Sequence, residues 1–232
     1  MSWTWDVDPI LVPGPLPLRI YGLLAATALV GGFLLYRWQS LRAGRDEVAT
    51  TMALPYALVA AVVGARLGHC LVYDRAICFS PPWRVLMIWQ GGLASHGALV
   101  GLVLALALYA RLHRLPLIDV FDRAAFGASL AVLCVRLGNF VNSEIVGRPT
   151  GSSWGVRFPR FDRGLAVVPL RHPVQLYEAT LGLGLLVLLL ILDRRLGEER
   201  PRGLYASLFL LLYFGGRVFL ERYKAYLVLS PS

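Results

Sequence analysis

An apolar run that reads as membrane-spanning ends on Arg136, Asn139, Asn142 and Glu144, an arginine, two asparagines and a carboxylate placed where lipid would be expected. An ionised side chain at the centre of a bilayer costs roughly 2.5 kcal/mol even on the lenient insertion scale, so such residues need partners and are functional candidates. The same misfit recurs at Arg66 in another apolar run and at Arg217 with Glu221 in a third. A guanidinium offers five donors in a planar fork that matches a phosphate or carboxylate in two-point contact. The chemistry these residues could do is the capture of an anion within a membrane protein.

Their spacing sharpens this. Arg136, Asn139 and Ser143 follow i, i+3, i+7, one helical face if the helix continues that far, and Glu144 follows Phe140 by four. Tyr213, Arg217 and Glu221 fall on a second stripe at i, i+4, i+8, where Gly215 and Gly216 permit close helix approach. Each set also reads as an ion pair that only holds helices together: Arg136 with Glu144 or Glu221, or Arg217 with Glu221. Two such stripes in one small bundle leave donors spare for an external anion. His96 lies in an apolar run among Gly91, Gly92, Gly97 and Gly101. A lone histidine there is a packing residue unless other catalytic groups converge on it. His69 is a weaker candidate, and His113 sits in a basic loop. In the segment Arg171 to Glu178, Gln175 and Glu178 share a face and Tyr177 suits the membrane interface. Tyr21 fits either an interface anchor or a donor to a headgroup.

The elements that must position these groups are six apolar stretches near the roughly 20-residue length that spans a bilayer. They run over about 18–36, 52–73, 93–112, 118–141, 173–192 and 203–223. The expected fold is therefore all-α: a polytopic membrane helix bundle, read as a single integral membrane domain over 1–232. The polar interval 142–172 forms a small extracytoplasmic head. Composition agrees, with 57% hydrophobic and 16% charged residues among 232 and a mean hydropathy of +0.61; soluble domains carry about 25% charged residues. Met1 to Pro17 lacks the basic start of a cleavable signal peptide.

The net charge of +9 does not indicate nucleic acid, because the arginines lie between or inside apolar runs with no aromatic-interleaved soluble patch. Anionic lipid is the partner this pattern fits. The three cysteines have no CxxC spacing and no clustered histidines, so no metal is expected. Arg37, Arg42 and Arg45 follow the first span, Arg111, Arg114 and Arg123 the third, and Arg194, Arg195, Arg200 and Arg202 the fifth. The loop after the second span has Arg75 and Arg84. The positive-inside rule then places the N-terminus outside, with a head whose own arginines have a ligand-binding reason to be there.

Taken together, the run Arg136-Leu137-Gly138-Asn139-Phe140-Val141-Asn142-Ser143-Glu144-Ile145-Val146-Gly147-Arg148, the glycines from Gly91 to Gly97 around His96, the segment Arg171-His172-Pro173 to Glu178, and Tyr213 with Arg217 and Glu221 resemble one family in type and order. It is the prolipoprotein diacylglyceryl transferases of the bacterial inner membrane. The resemblance implies transfer of the diacylglyceryl group of phosphatidylglycerol to the thiol of a prolipoprotein lipobox cysteine, giving a thioether and glycerol phosphate, with no cofactor. It implies catalytic roles for His96, as candidate base, and for Arg136 and Arg217 on the phosphate. Tyr21, Asn139, Glu144, Gly147, Tyr213 and Glu221 are implied on the substrate side. Three departures stand beside the match. The sequence stops soon after the sixth span where the family usually has a seventh, the head is short, and Ala98 replaces a common glycine. The competing expectations are a related phospholipid-dependent transferase with another acceptor, and a non-catalytic anionic-lipid-binding or transport protein.

Overall fold

The structure, a computed structural model, describes residues 2–14, 17–74, 83–87, 92 and 94–225. Gln90, Gly91 and Leu93 of the glycine stretch, the loop residues Arg75 and Cys78, the side chain of Arg84 and the tail 226–232 lie outside the described residues.

Among the described residues 67% are helical, and the chain forms a polytopic helical bundle, with six described helices long and apolar enough to cross a membrane. They are α1 (Ile20–Arg42), α2 (Glu47–Val72), α3 (Ser95–Leu112), α4 (Leu117–Val141), α5 (Val174–Leu196) and α6 (Leu204–Glu221). In lipid every backbone group must be satisfied within the segment, which is why long apolar runs resolve into helices. α2 begins at Glu47, ahead of its apolar stretch, because the Asp46 side chain accepts from the Ala49 amide at 2.7 Å and caps the first turn. α5 starts directly after Pro173, and Gly203 at φ 88° introduces α6. The backbone contacts group into two compact units, Met1–Tyr36 with Ala124–Ser232, and Arg37–Arg123.

In the first unit, α1 meets α4 where a Cβ on Gly32 would stand 3.1 Å from the Gly127 Cα, an approach that only small residues permit. Ala125, Phe126, Leu189 and Tyr205 form a buried cluster between α4, α5 and α6. The Tyr205 hydroxyl donates to Asp193 at 3.4 Å. The 142–172 head and the N-terminal segment contain short strands that the hydropathy pattern does not announce. β1 (Ser2–Thr4) pairs in parallel with β4 (Gly155–Arg157), and β2 (Ile10–Val12) pairs antiparallel with β3 (Leu18–Arg19). Phe140, Val146, Val156 and Phe158 make the head's core, with Trp5 packed against it. Arg171 grips Asp162 with two donors, at 2.8 and 2.6 Å, and closes the head on itself.

In the second unit, α2 and α3 pack through facing glycines at i, i+4 spacing, Gly64 and Gly68 against Gly97 and Gly101. A Cβ on Gly97 would lie 2.1 Å from the Gly64 carbonyl oxygen. Arg66 is buried and spends its donors on backbone: Nε on the Val85 carbonyl at 2.8 Å and Nη1 on the Gly92 carbonyl at 3.2 Å. The arginine ties down the chain that leads into α3. At the basic end of this unit Asp119 pairs with Arg45 and Arg123, and Arg37 pairs with Glu47.

Candidate active site

The site of the first unit is built on the end of α4. The last helical carbonyls find partners in the following turn: the amides of Asn142, Ser143 and Glu144 donate to Gly138, Phe140 and Asn139. The turn is made with φ of 56° at Ser143 and 51° at Ile145. For a β-branched residue a left-handed backbone is a genuine outlier, worth about 1–3 kcal/mol of strain. Glu144 sits between these two residues and is held three ways. Its carbonyl accepts from Gln175 Nε2 at 2.7 Å, and its carboxylate oxygens accept from the side-chain amides of Asn139 and Asn142, both at 3.2 Å.

Arg136, eight residues before Glu144, is 9% exposed. Its Nη1 donates to Asn139 Oδ1 at 3.5 Å, and its Nε lies 2.6 Å from Glu178 Oε2. Glu178, on α5, is 1% exposed, and its other oxygen lies 3.1 Å from Lys224 Nζ. Gln175 and Glu178, three residues apart on α5, thus address Glu144 and Arg136 respectively. Of the pairings that spacing allowed, Arg136 takes neither Glu144 nor Glu221 but this carboxylate from another helix.

On α6 the Arg217 Nη1 donates to the Tyr213 hydroxyl at 3.4 Å, and Glu221 pairs with Lys224 at 2.8 Å. Tyr21 lies over Gly138, where a Cβ would meet its ring at 2.6 Å. Tyr21 is within electrostatic range of Arg136 and Glu144, Arg217 of Glu178 and Glu221, and Glu221 of Arg136. Gly147 has no room for a side chain, since a Cβ would fall 2.3 Å from the His172 carbonyl oxygen. Its amide donates to that carbonyl at 3.0 Å. Beside it His172 contacts Trp154 and Tyr223 with ring centroids 5.1 and 5.0 Å apart, and its Nδ1 lies 3.3 Å from the Tyr177 hydroxyl. Burial, and then the charge of Arg148, push the His172 imidazolium below its usual pKa.

Tyr21, Arg136, Asn139, Glu144, Gly147, Tyr213, Arg217 and Glu221 therefore all belong to the first unit. His96 is the second residue of α3 in the other unit, where it is exposed. Sequence reasoning assigned no role to Gln175, Glu178 or Lys224. A signal for Glu178 was available, because a carboxylate in an apolar span is the same misfit as Arg136. Lys224 is the one lysine among 23 basic residues.

Fold and site define a multi-pass membrane protein whose polar interior holds an arginine, Arg136, restrained by a buried carboxylate, with Arg217 held by a tyrosine hydroxyl. A family model described as prolipoprotein diacylglyceryl transferase matches residues 9–230. A phosphatidylglycerol–prolipoprotein diacylglyceryl transferase of Tolumonas auensis is 41% identical, over 95% of this chain and 84% of the relative. Proteins of the same name from Porphyromonas gingivalis and Oleidesulfovibrio alaskensis are 38% and 36% identical, over 95% and 94% of this chain and 81% and 80% of their own lengths. The chain belongs to the prolipoprotein diacylglyceryl transferase family.

Proposed function

We propose that this protein transfers the diacylglyceryl group of phosphatidylglycerol to the thiol of a prolipoprotein's lipobox cysteine. The sulfur forms a bond to the glyceryl carbon that bears the phosphate ester. The carbon–oxygen bond breaks, its electron pair stays on glycerol phosphate, and the thiol proton leaves to a base. The nucleophile is the substrate's own, and a thiol of pKa near 8.5 must be deprotonated to serve. The enzyme's task is then to take that proton and to stabilise charge on the departing phosphate. Preorganised donors in a dry site do the latter, often as the largest catalytic contribution.

One observation carries this reading: Arg136 is buried and fixed before any ligand arrives, by Glu178 at 2.6 Å and by Asn139. A guanidinium so held meets a phosphate without first paying the entropy of ordering its side chain. Arg136 and Arg217 hold the phosphate in this proposal, and Tyr21, Asn139, Glu144, Gly147, Tyr213 and Glu221 shape the headgroup pocket. His96 is the candidate base on the strength of the family resemblance. The setting is the bacterial inner membrane with the N-terminus and head in the periplasm.

The test is to incubate the purified protein with phosphatidylglycerol and a lipobox peptide and look by mass spectrometry for a diacylglyceryl thioether on the cysteine. Glycerol phosphate release without that adduct would leave a transferase with another acceptor. Arg136→Gln is expected to lower turnover about 100-fold or more while the protein still inserts. Turnover near wild type would remove Arg136 from the site.

A further inference from the structure

We propose that Lys224 is a positioning residue of this site. It neutralises Glu178 and Glu221 together, so that Arg136 and Arg217 keep donors and positive charge for a phosphodiester monoanion. The inference rests on the reading of the site as a phospholipid-headgroup pocket.

Lys224 Nζ lies 3.1 Å from Glu178 Oε1 and 2.8 Å from Glu221 Oε2, carboxylates on α5 and α6 respectively. Each is the acidic companion of one arginine: Glu178 pairs with Arg136, and Glu221 stands one turn after Arg217. The lysine therefore joins the two arginine stripes through their counter-charges. An ammonium has three rotatable donors on a flexible stem and can bridge two separate carboxylates, whereas a planar guanidinium favours two contacts to one. In a chain whose other 22 basic residues are arginine, the single lysine occupies this position.

Its placement is not that of a loose tail. The Arg148 amide donates to the Tyr223 carbonyl at 2.9 Å and the Ala225 amide to Val146 at 3.1 Å, with Gly147 and Lys224 bridged antiparallel. The chain beyond α6 is thereby fastened to the same turn that carries Glu144, and the lysine side chain is only 10% exposed.

The charges give the consequence. Arg136 and Arg217 against Glu178 and Glu221 sum to zero, and Lys224 adds one positive charge beside the guanidinium donors. Glu144, exposed to solvent, contributes a negative charge that the side-chain amides of Asn139 and Asn142 solvate but do not neutralise. Lys224 is therefore what keeps the pocket from being net negative toward a phosphodiester monoanion. Without the lysine, both carboxylates would compete with the phosphate for the same guanidinium donors. At Glu178, which is buried, that competition is strong, whereas at the half-exposed Glu221 solvent screens part of it.

The experiment measures transfer kinetics, and phosphatidylglycerol binding in nanodiscs with phosphatidylcholine as the zwitterionic, net-neutral control. Lys224→Met is expected to raise KM for phosphatidylglycerol at least about tenfold and to weaken its binding correspondingly, with the phosphatidylcholine background unchanged. Lys224→Arg should recover part of the loss, because the charge returns without the bridging geometry. The discriminating measurement is a double-mutant cycle: Glu221→Gln carries its own cost, but because Lys224 acts through Glu221 and Glu178, Lys224→Met should cost distinctly less in the Glu221→Gln background than in the wild type. A residue needed only for folding would cost the same in both backgrounds. Should Lys224→Met fail to insert, Lys224→Gln replaces it. Wild-type KM and binding in the inserted single variant, or equal losses in the two backgrounds, would overturn the proposal. If the wild-type protein transfers nothing to peptide yet Lys224→Met still loses phosphatidylglycerol binding, the transfer reading falls and the role of Lys224 stands.

Discussion

Arg136 and His172 show how neighbours set what a side chain can do. Arg136 is oriented by a carboxylate 42 positions further along the chain and an amide three positions along. Breaking a buried pair on one side leaves an uncompensated charge, so Glu178 and Arg136 stand or fall together. His172 is held toward its neutral form by burial and by Arg148. Its folded pKa lies below its unfolded one, so the unfolded chain takes up the proton first as pH falls. The stability this histidine contributes is thus fully present above its ordinary value of 6.5. It is lost as pH drops from there through the depressed folded pKa. Thermal unfolding of the detergent-solubilised protein between pH 7.5 and 5 should show a falling midpoint, and His172→Gln should flatten that slope. An unchanged slope in the variant would assign the effect elsewhere.

At the scale of elements, the second unit depends on how closely α2 and α3 approach. Gly64 and Gly68 face Gly97 and Gly101, and the atoms that a Cβ on Gly97 would strike are backbone: Gly64 O at 2.1 Å and Gly68 Cα at 2.8 Å. Neither can rotate away. Gly97→Val is expected to destabilise the protein by about 2 kcal/mol or more, seen as a lowered unfolding midpoint in detergent. Gly184, in α5, has nothing within 4 Å of its Cβ position, so Gly184→Ala should hold or slightly raise the midpoint through better helix propensity. Equal effects of the two substitutions would remove the glycine interface as the cause. The half of this interface on α3 was visible in the sequence beside His96. Its complement on α2 was not singled out, because a glycine spacing gains meaning only when the facing helix is known.

For the whole molecule, the pairing of β1 with β4 puts the N-terminal segment and the 142–172 segment on one side of the membrane. The positive-inside count proposes that side as the periplasm. Ser2→Cys and Ser152→Cys, both at exposed positions, should react with a membrane-impermeant maleimide in intact spheroplasts once Cys78 is replaced by serine. Cys70 and Cys134 are buried and should stay silent. Arg114→Cys, in the loop between α3 and α4, should react only after lysis. The reverse pattern would invert the topology.

The number, type and approximate limits of the six membrane helices were legible in the amino-acid sequence alone. A bilayer admits few ways to satisfy a long apolar backbone, and hydropathy reports that constraint directly. The misfit logic likewise picked out Arg136, Arg217, Asn139, Glu144 and Glu221, because an ionised group in lipid is conspicuous wherever it lies. The short strands were not legible: β1 and β4 are three residues each and lie about 150 positions apart, too short for any periodicity to mark them. Nor was the partner of Arg136, since local spacing offered Glu144 and left Glu178 and Lys224 with nothing to point at. Spacing along one helix ranks neighbours within a turn or two. Which carboxylate a buried arginine faces from another helix is decided by packing, and only the tertiary structure supplies it.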